Sequence, residues 1–159
     1  MFTPLLVAAA IAVVALLFGG LTTTTGTWFR ALRKPSWQPP DWVFGPMWTG
    51  IAVLCVWLAV NAWVVAPQAH LRIALLFGAN AVFHMAWSPL FFMMKRPDWA
   101  LIEVVFLWLS LAALVVGRGP LAALSAWLIA PYLAWVSVAA AINLWIVRHN
   151  APFARPRLV

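Results

Sequence analysis

The sequence has very few charged residues. They make up 8% of its 159 residues, whereas hydrophobic residues make up 66%; an average soluble domain carries about 25% charged residues. Five stretches hold at most one Asp, Glu, Lys or Arg each: 1–29, 42–71, 73–94, 99–117 and 119–147. Because none of these stretches has a charged face to meet water, the composition excludes a soluble helical protein.

The sequence also lacks the residue patterns of common catalytic and metal sites. With a single cysteine, Cys55, it cannot form an internal disulfide or a cysteine-based zinc site. His70, His84 and His149 are too far apart along the chain to form an obvious metal cluster. It contains no phosphate-binding loop, dinucleotide fingerprint, nucleophile elbow or zinc-protease motif. We therefore predict no metal site, no obligatory cofactor and no dedicated nucleophile or acid–base pair.

Each apolar stretch is long enough to cross a bilayer once, since a spanning helix needs roughly 20 apolar residues. The first stretch lacks a basic leader and is longer than the ~7–15 apolar residues of a signal peptide, so we interpret it as a helix. The predicted fold class is an all-α integral membrane protein, a five-transmembrane-helix bundle in one domain over 1–159. We place its helices near 4–25, 45–66, 71–93, 98–116 and 121–147.

The Lys and Arg residues predict the orientation of this bundle. Eight would lie on the side of the C-terminus: Arg30, Arg33, Lys34, Lys95, Arg96, Arg148, Arg155 and Arg157. Only Arg72 and Arg118 would lie on the other side. The positive-inside rule then places the N-terminus outside and the C-terminus in the cytoplasm, as in a bacterial inner membrane. The net charge of +7 comes from basic residues in short loops next to the membrane, where they set the topology and contact anionic lipids. Nucleic acid is therefore not a predicted partner.

One segment combines aromatic residues with prolines. KPSWQPPDWVFGPMWT, at 34–49, holds three tryptophans and four prolines. Proline fixes φ and removes a backbone donor, and it pushes the preceding residue toward extended geometry. The segment therefore cannot be one continuous helix, and we expect the region 26–44 to form a shaped lid over a pocket.

Polar residues inside the predicted helices are costly there, and they mark functional sites or interhelical contacts. Asn80, His84 and Ser88 follow one another at intervals of four, so they share one inward face of helix three. They form hydrogen bonds between helices, or they anchor a ligand, with His84 as an additional candidate for binding haem iron.

Glu103 lies one turn inside the boundary of helix four. We expect it to pair with Lys95 or Arg96; contact with a proton or a ligand is the alternative. On helix five, Trp135, Ala139 and Asn143 form a stripe typical of helix packing. Tryptophans near predicted helix ends are expected at the headgroup level: Trp28, Trp99 and Trp145.

Across almost its whole length the chain resembles the TspO/MBR family, the tryptophan-rich sensory proteins related to the mitochondrial translocator protein. The resemblance rests on GG at 19–20, KPSWQPPDWVFGPMWT at 34–49, WSPLFF at 87–92, ALIEVVFLWL at 100–109, and PYLAW at 131–135 followed by Asn143. It implies a five-helix bundle, often a homodimer, with a ligand cavity that the first loop closes.

The resemblance also implies ligands and a pocket. Family members bind porphyrins, haem and drug-like hydrophobic molecules, and animal members bind cholesterol. Carried over by motif, the pocket residues are Trp37, Pro40, Phe44, Trp48, Phe83, His84, Trp87, Trp135, Val138, Ala139 and Asn143. Trp48 and Trp135 match tryptophans implicated in binding porphyrin and in its light-dependent breakdown, which makes them the candidate catalytic residues.

Three positions depart from the family pattern. His84 stands where the family usually has asparagine, and Ala52 stands where many members have tyrosine, which predicts a roomier cavity. Trp145 replaces the tyrosine of the sterol-recognition pattern, so we do not predict specific sterol binding.

Two classes of function follow for a membrane protein with this pocket. The first is a sensor, regulator or transporter that binds tetrapyrroles or related hydrophobic molecules. The second is an enzyme-like degradation of porphyrin that uses light and oxygen in the same pocket.

Overall fold

The computed structural model describes residues 2–116 and 122–153, with side chains for 2–115 and 127–153. These residues form six α-helices and no strand: α1 (Phe2–Thr22), α2 (Thr27–Ala31), α3 (Asp41–Val65), α4 (His70–Ser88), α5 (Pro97–Val116) and α6 (Ala122–Asn150). Five segments are long and apolar enough to cross a membrane: Phe2–Thr22, Asp41–Val65, Pro67–Met93, Pro97–Val115 and Trp127–Asn150. The predicted all-α, five-span fold is confirmed.

The third span contains three kinds of helix. A 3₁₀ turn (Pro67–Ala69) leads into α4, and a π-helical turn (Pro89–Met93) continues it. In the π turn the Met94 amide donates to the Pro89 carbonyl at 2.9 Å. Lys95 then has a φ of 54°, in the left-handed region that reverses the chain before α5.

Successive spans run in opposite directions, so one end of the bundle gathers the loop 23–40, the turn 94–96 and residues 151–153. We call 23–40 the aromatic loop, this end the loop face, and the opposite end the distal face. The core lies around α5, which packs against both α4 and α6, and α3 adds Ile51 and Leu58 to it. By contrast, α1 fully buries only Ala15 and Thr22; one side of it packs against α3 and α4, and its other side is exposed.

The start of the second span differs from the prediction. The helix α3 begins at Asp41 rather than 45, directly after Pro39 and Pro40, and it includes Pro46. The first four N–H groups of any helix lack an intrahelical partner. Since Pro46 is the sixth residue of α3, its missing N–H removes only one hydrogen bond near the helix end. The region predicted as a lid, 26–44, is therefore part loop and part helix.

Some of the basic residues behind the predicted orientation lie outside the described residues. They are Arg118, Arg155 and Arg157. Residue 121, where the fifth predicted helix begins, also lies outside the described residues. The others on the loop face, from Arg30 to Arg148, lie at the same end of the bundle as the aromatic loop.

Candidate functional site

Two cavities lie inside the bundle, one toward each face. The loop cavity has a volume of about 420 Å³ and lies under the aromatic loop, between α1, α3, α4, the π turn and α6. The distal cavity, also of about 420 Å³, lies between α1, α3 and α4. Both volumes fall within the ~300–1,000 Å³ of small-molecule sites. Four residues line both cavities: Ala15, Leu16, Trp48 and His84.

Aromatic side chains form much of the loop cavity wall. They come from the aromatic loop, α3, α4 and the π turn: Phe29, Phe44, Trp48, Trp87, Phe91 and Phe92. Trp87 stacks on Phe91 with ring centroids 5.0 Å apart and planes 23° apart. Such flat, closely packed rings suit a flat apolar ligand.

The aromatic loop is fastened to the bundle at two places. Asn150, at the end of α6, accepts a hydrogen bond from the Arg33 amide (2.8 Å) and donates one to the Arg33 carbonyl (2.9 Å). Phe29 is buried against Phe91 and Phe92 of the π turn, with ring centroids 6.4 and 5.3 Å away. The loop therefore has a fixed position over the cavity, although it contains no long helix.

Trp48 and His84 separate the two cavities. Their ring centroids are 4.7 Å apart, with the planes at 65°. Trp135 stands behind them, 6.4 Å from Trp48 and 5.3 Å from Phe44. The two candidate catalytic tryptophans are therefore neighbours, but only Trp48 reaches the cavity surface.

His84 belongs to a buried polar cluster that joins three helices. The Asn80 amide donates to the Ser110 hydroxyl at 2.9 Å. Tyr132 donates to the Asn80 side-chain oxygen at 3.5 Å, and its hydroxyl lies 3.4 Å from Nδ1 of His84. These contacts give Asn80 the interhelical role that was one of its two predicted alternatives.

Ser88 uses its hydroxyl to hold α1. Thr22 and Thr23 both lie 2.9 Å from it, and Ser88 donates to the Gly19 carbonyl at 3.4 Å. The serine also lines the loop cavity. The three residues of the predicted inward face thus contact different helices: Asn80 bonds to α5, His84 to α6 and Ser88 to α1.

The residues proposed for the pocket fall into two groups. Five line the loop cavity: Phe44, Trp48, His84, Trp87 and Ala139. Six do not line either cavity: Trp37, Pro40, Phe83, Trp135, Val138 and Asn143. Trp37 and Val138 are exposed, Pro40 precedes α3, and Phe83 stacks on Phe106 of α5. Trp135 is buried behind Trp48.

Asn143 is engaged by the backbone of α5. In the amide orientation that satisfies both groups, it donates to the Pro97 carbonyl (3.0 Å) and accepts from the Leu101 amide (3.1 Å). These are the i and i+4 groups of one helical turn. The side chain is 1% exposed, so it ties α6 to the start of α5, and it lines neither cavity.

Glu103 corrects a prediction. Arg96 pairs with Asp98 (2.8 Å from Nε to Oδ1), and that hydrogen bond raises the pKa of Arg96. Both carboxyl oxygens of Glu103 are buried without a hydrogen-bond partner among the described residues. The expected pairing with Lys95 or Arg96 is wrong because Glu103 lies inside the bundle, 8% exposed, whereas Arg96 reaches the nearer Asp98.

Three further buried polar atoms around the loop cavity have no partner in the described part of the chain. They are the side-chain oxygen of Gln38 and the indole N–H groups of Trp87 and Trp135. Gln38 and Trp87 line the cavity. Since buried polar groups in native proteins are almost always hydrogen-bonded, these two are the natural anchors for a polar group of a ligand.

No group of three or more His, Cys, Asp or Glu residues converges on a metal position within the described residues. His84 meets the loop cavity as a single imidazole. It can therefore offer one axial ligand or one hydrogen bond, and no other described His, Cys, Asp or Glu joins it to form a protein metal centre.

Sequence reasoning missed two residues of this site. Tyr132 gave no signal because one tyrosine in an apolar helix is ordinary, yet it connects Asn80 with His84. Asn150 lies in the polar end of α6, where an asparagine is unremarkable. Its contact with Arg33 spans 117 residues of sequence, and only the folded bundle brings the two together.

Comparison with known proteins places these features in context. A model of the TspO/MBR family matches residues 6–148. The translocator protein of Homo sapiens is 33% identical over 129 residues, covering 77% of this chain and 75% of the relative. The tryptophan-rich sensory protein of Cereibacter sphaeroides is 36% identical over 138 residues, covering 82% and 85%. The tryptophan-rich protein TspO of Archaeoglobus fulgidus is 32% identical over 149 residues, covering 92% and 97%.

Proposed function

We propose a function from the family to which this chain belongs, the TspO/MBR family. Its loop cavity would bind tetrapyrroles such as porphyrin or haem, and related flat hydrophobic molecules. Binding would serve sensing, regulation or transport at a bilayer that the protein crosses several times. We further propose a bacterial inner membrane, with the N-terminus outside and the C-terminus in the cytoplasm, and a homodimer.

The observation that supports this proposal most directly is the wall of the loop cavity. Trp48, Trp87 and Phe91 surround a space of about 420 Å³ that also contains an imidazole, His84. Apolar pockets with a few placed polar groups are typical of sites for cofactor-sized molecules. Trp87 and Gln38 add one donor and one acceptor that have no partner in the described residues.

The charges around the cavity favour one orientation of a porphyrin. Its macrocycle is apolar, whereas its propionates are anionic and costly to bury without a partner. Among the described residues, no Lys or Arg lines the cavity, and the one charged residue in its wall is Asp41 at the start of α3, a carboxylate that would repel buried propionates. Arg30, Arg33 and Lys34 lie in the aromatic loop above it, so the ring would enter the cavity and the propionates would remain near these cations.

A pair of neighbouring substitutions tests the site. Ala139 lines the loop cavity, whereas Val138 is exposed on the outside of α6. Ala139→Phe should fill the cavity and weaken protoporphyrin binding by roughly 10-fold or more, equivalent to ~1.4 kcal/mol. Val138→Phe adds the same ring on the lipid side and should leave the affinity within about twofold. Quenching of tryptophan fluorescence measures both, and equal affinities for the two variants would place the porphyrin elsewhere.

A second function shares this site. The ring centroids of Trp48 and Trp135 are 6.4 Å apart, close enough for Trp135 to re-reduce Trp48 after a bound, photoexcited pigment takes an electron from Trp48. The reduced pigment would pass that electron to oxygen, and the superoxide formed would oxidise the macrocycle. This proximity favours light-dependent porphyrin degradation, for which the protein supplies binding and electron donors.

A control in darkness and without oxygen separates the two functions. Porphyrin binding should persist there, while loss of its absorbance should stop. Trp135→Phe keeps an aromatic ring behind Trp48 but removes the indole, so it should slow photodegradation more than it weakens binding. Unchanged degradation in this variant would remove Trp135 from the reaction.

A further inference from the structure

We propose that the distal cavity is a second binding site, which takes one long apolar chain ending in a neutral hydroxyl group. The cavity follows α1 from Thr3 to Leu16. The thirteen steps between these two residues, at 1.5 Å each, make this path about 20 Å long. A space of that length, with a volume of about 420 Å³, is elongated and fits a chain better than a compact molecule.

The lining of the distal cavity excludes a charged ligand. No Asp, Glu, Lys or Arg of the described part of the chain contributes to its wall. Its polar side chains are Thr3 near the distal face and, at the inner end, Asn80, His84 and Tyr132 beside Trp48. An ionised head group buried at that inner end would have no counter-charge, and its desolvation would oppose binding strongly.

The inner end offers one free hydrogen-bonding position, on His84, which also lines the loop cavity and can serve only one of the two ligands at a time. His84 uses Nδ1 toward Tyr132 (3.4 Å), and the described residues give Nε2 no hydrogen bond. If Tyr132 donates to Asn80 at 3.5 Å, Nδ1 carries the proton toward Tyr132 and Nε2 is an acceptor. If Tyr132 donates to Nδ1 instead, Nε2 carries the proton and is a donor. A hydroxyl group satisfies both arrangements because it donates and accepts.

Small side chains make the room for the chain. Ala52 and Ala59 of α3 both line the distal cavity, and each adds only a methyl group to its wall. Larger residues at these positions would occupy the volume that we assign to the ligand.

The two cavities can be blocked separately. Ala52 lines only the distal cavity, and Ala139 lines only the loop cavity. Val53, next to Ala52, is 64% exposed on the outside of α3 and lines neither cavity. Phenylalanine at each of these three positions therefore adds the same bulk in three different places.

The experiment measures equilibrium binding of radiolabelled hexadecanol to the full chain in detergent micelles. Ala52→Phe should weaken binding by about 10-fold or more, whereas Val53→Phe and Ala139→Phe should change it by less than about twofold. Ala59→Phe fills the same cavity nearer the distal face and serves as a second variant if Ala52→Phe does not fold. His84→Phe should lower affinity by about 2- to 10-fold, the effect of one lost hydrogen bond.

Three results would overturn this inference. Equal binding by the Ala52→Phe and Val53→Phe variants would mean that the alcohol adsorbs on the lipid-facing surface and does not enter the cavity. Loss of hexadecanol binding in Ala139→Phe alone would place the alcohol in the loop cavity. Stronger binding of hexadecanoate than of hexadecanol would show that the head-group site accepts a charge.

Discussion

Trp48 packs edge-on against His84 with ring centroids 4.7 Å apart, and these two residues belong to the walls of both cavities. One indole and one imidazole thus form the partition between a space under the aromatic loop and a space toward the distal face. A substitution at either residue changes the size of both cavities. Effects of His84 variants must therefore be measured with a size-matched replacement.

The first prediction concerns His84 as a hydrogen-bonding residue. His84→Ala removes a hydrogen bond to the macrocycle of the ligand, worth roughly 0.5–1.5 kcal/mol, and should weaken porphyrin binding by about 2- to 10-fold. His84→Asn keeps a donor and an acceptor and should largely preserve the affinity. Fluorescence quenching at neutral pH measures both, and equal affinity for wild type and His84→Ala would leave His84 as a packing residue.

The second prediction concerns the attachment of the aromatic loop. Asn150→Ala removes both hydrogen bonds to Arg33, which at ~1 kcal/mol each should raise the dissociation rate of porphyrin several-fold. Stopped-flow displacement measures this rate. His149→Ala, at the next position, is the control: His149 contacts the Trp145 carbonyl and ring within α6. If both variants release porphyrin at the wild-type rate, Phe29 alone holds the loop.

The third prediction concerns Glu103. Its carboxyl group is buried without a hydrogen-bond partner in the described residues, which costs ~1–3 kcal/mol. Glu103→Leu should remove that cost and raise the midpoint of thermal unfolding in detergent. Glu103→Gln keeps the shape but leaves polar atoms buried, so it should give little gain. A lower midpoint for the leucine variant would reveal that the carboxyl stabilises the bundle through a partner.

The fourth prediction concerns orientation. In a Cys55→Ala background, Gln68→Cys marks the distal face and Ser36→Cys marks the loop face, and both side chains are exposed. The distribution of Lys and Arg places the loop face in the cytoplasm. A membrane-impermeant maleimide should therefore label the cysteine at 68 in intact cells, and the cysteine at 36 only after permeabilisation. The reverse labelling would invert the proposed topology.

The fifth prediction concerns self-association. Ala74 and Gly78 form a small-xxx-small step on α4, and both are exposed. Gly78→Leu should reduce cross-linked dimer in detergent, because bulk there keeps two helices apart. Ala79→Leu, also exposed but next to the step, should leave the dimer yield unchanged. An equal yield from the two variants would move the interface away from this step.

The sequence alone was sufficient to predict the five spans and the all-helical fold. Hydropathy is a local property: about 20 apolar residues cross a bilayer whatever surrounds them. The motif 34–49 likewise identified the family, and its prolines marked the end of a loop. The error there was four residues, because Pro46 is tolerated near the start of α3, where it removes a single hydrogen bond.

The tertiary structure alone decided which partner each polar residue has. A period of 3.6 places Asn80, His84 and Ser88 on one face of α4, but the rotation and register of the neighbouring helices assign them to different partners. The same registers bring Asn143 to the backbone of α5 and leave Glu103 away from Arg96. Asn150 and Arg33 meet only because the first loop and the last helix end at the same face, and no local pattern in the sequence encodes that contact.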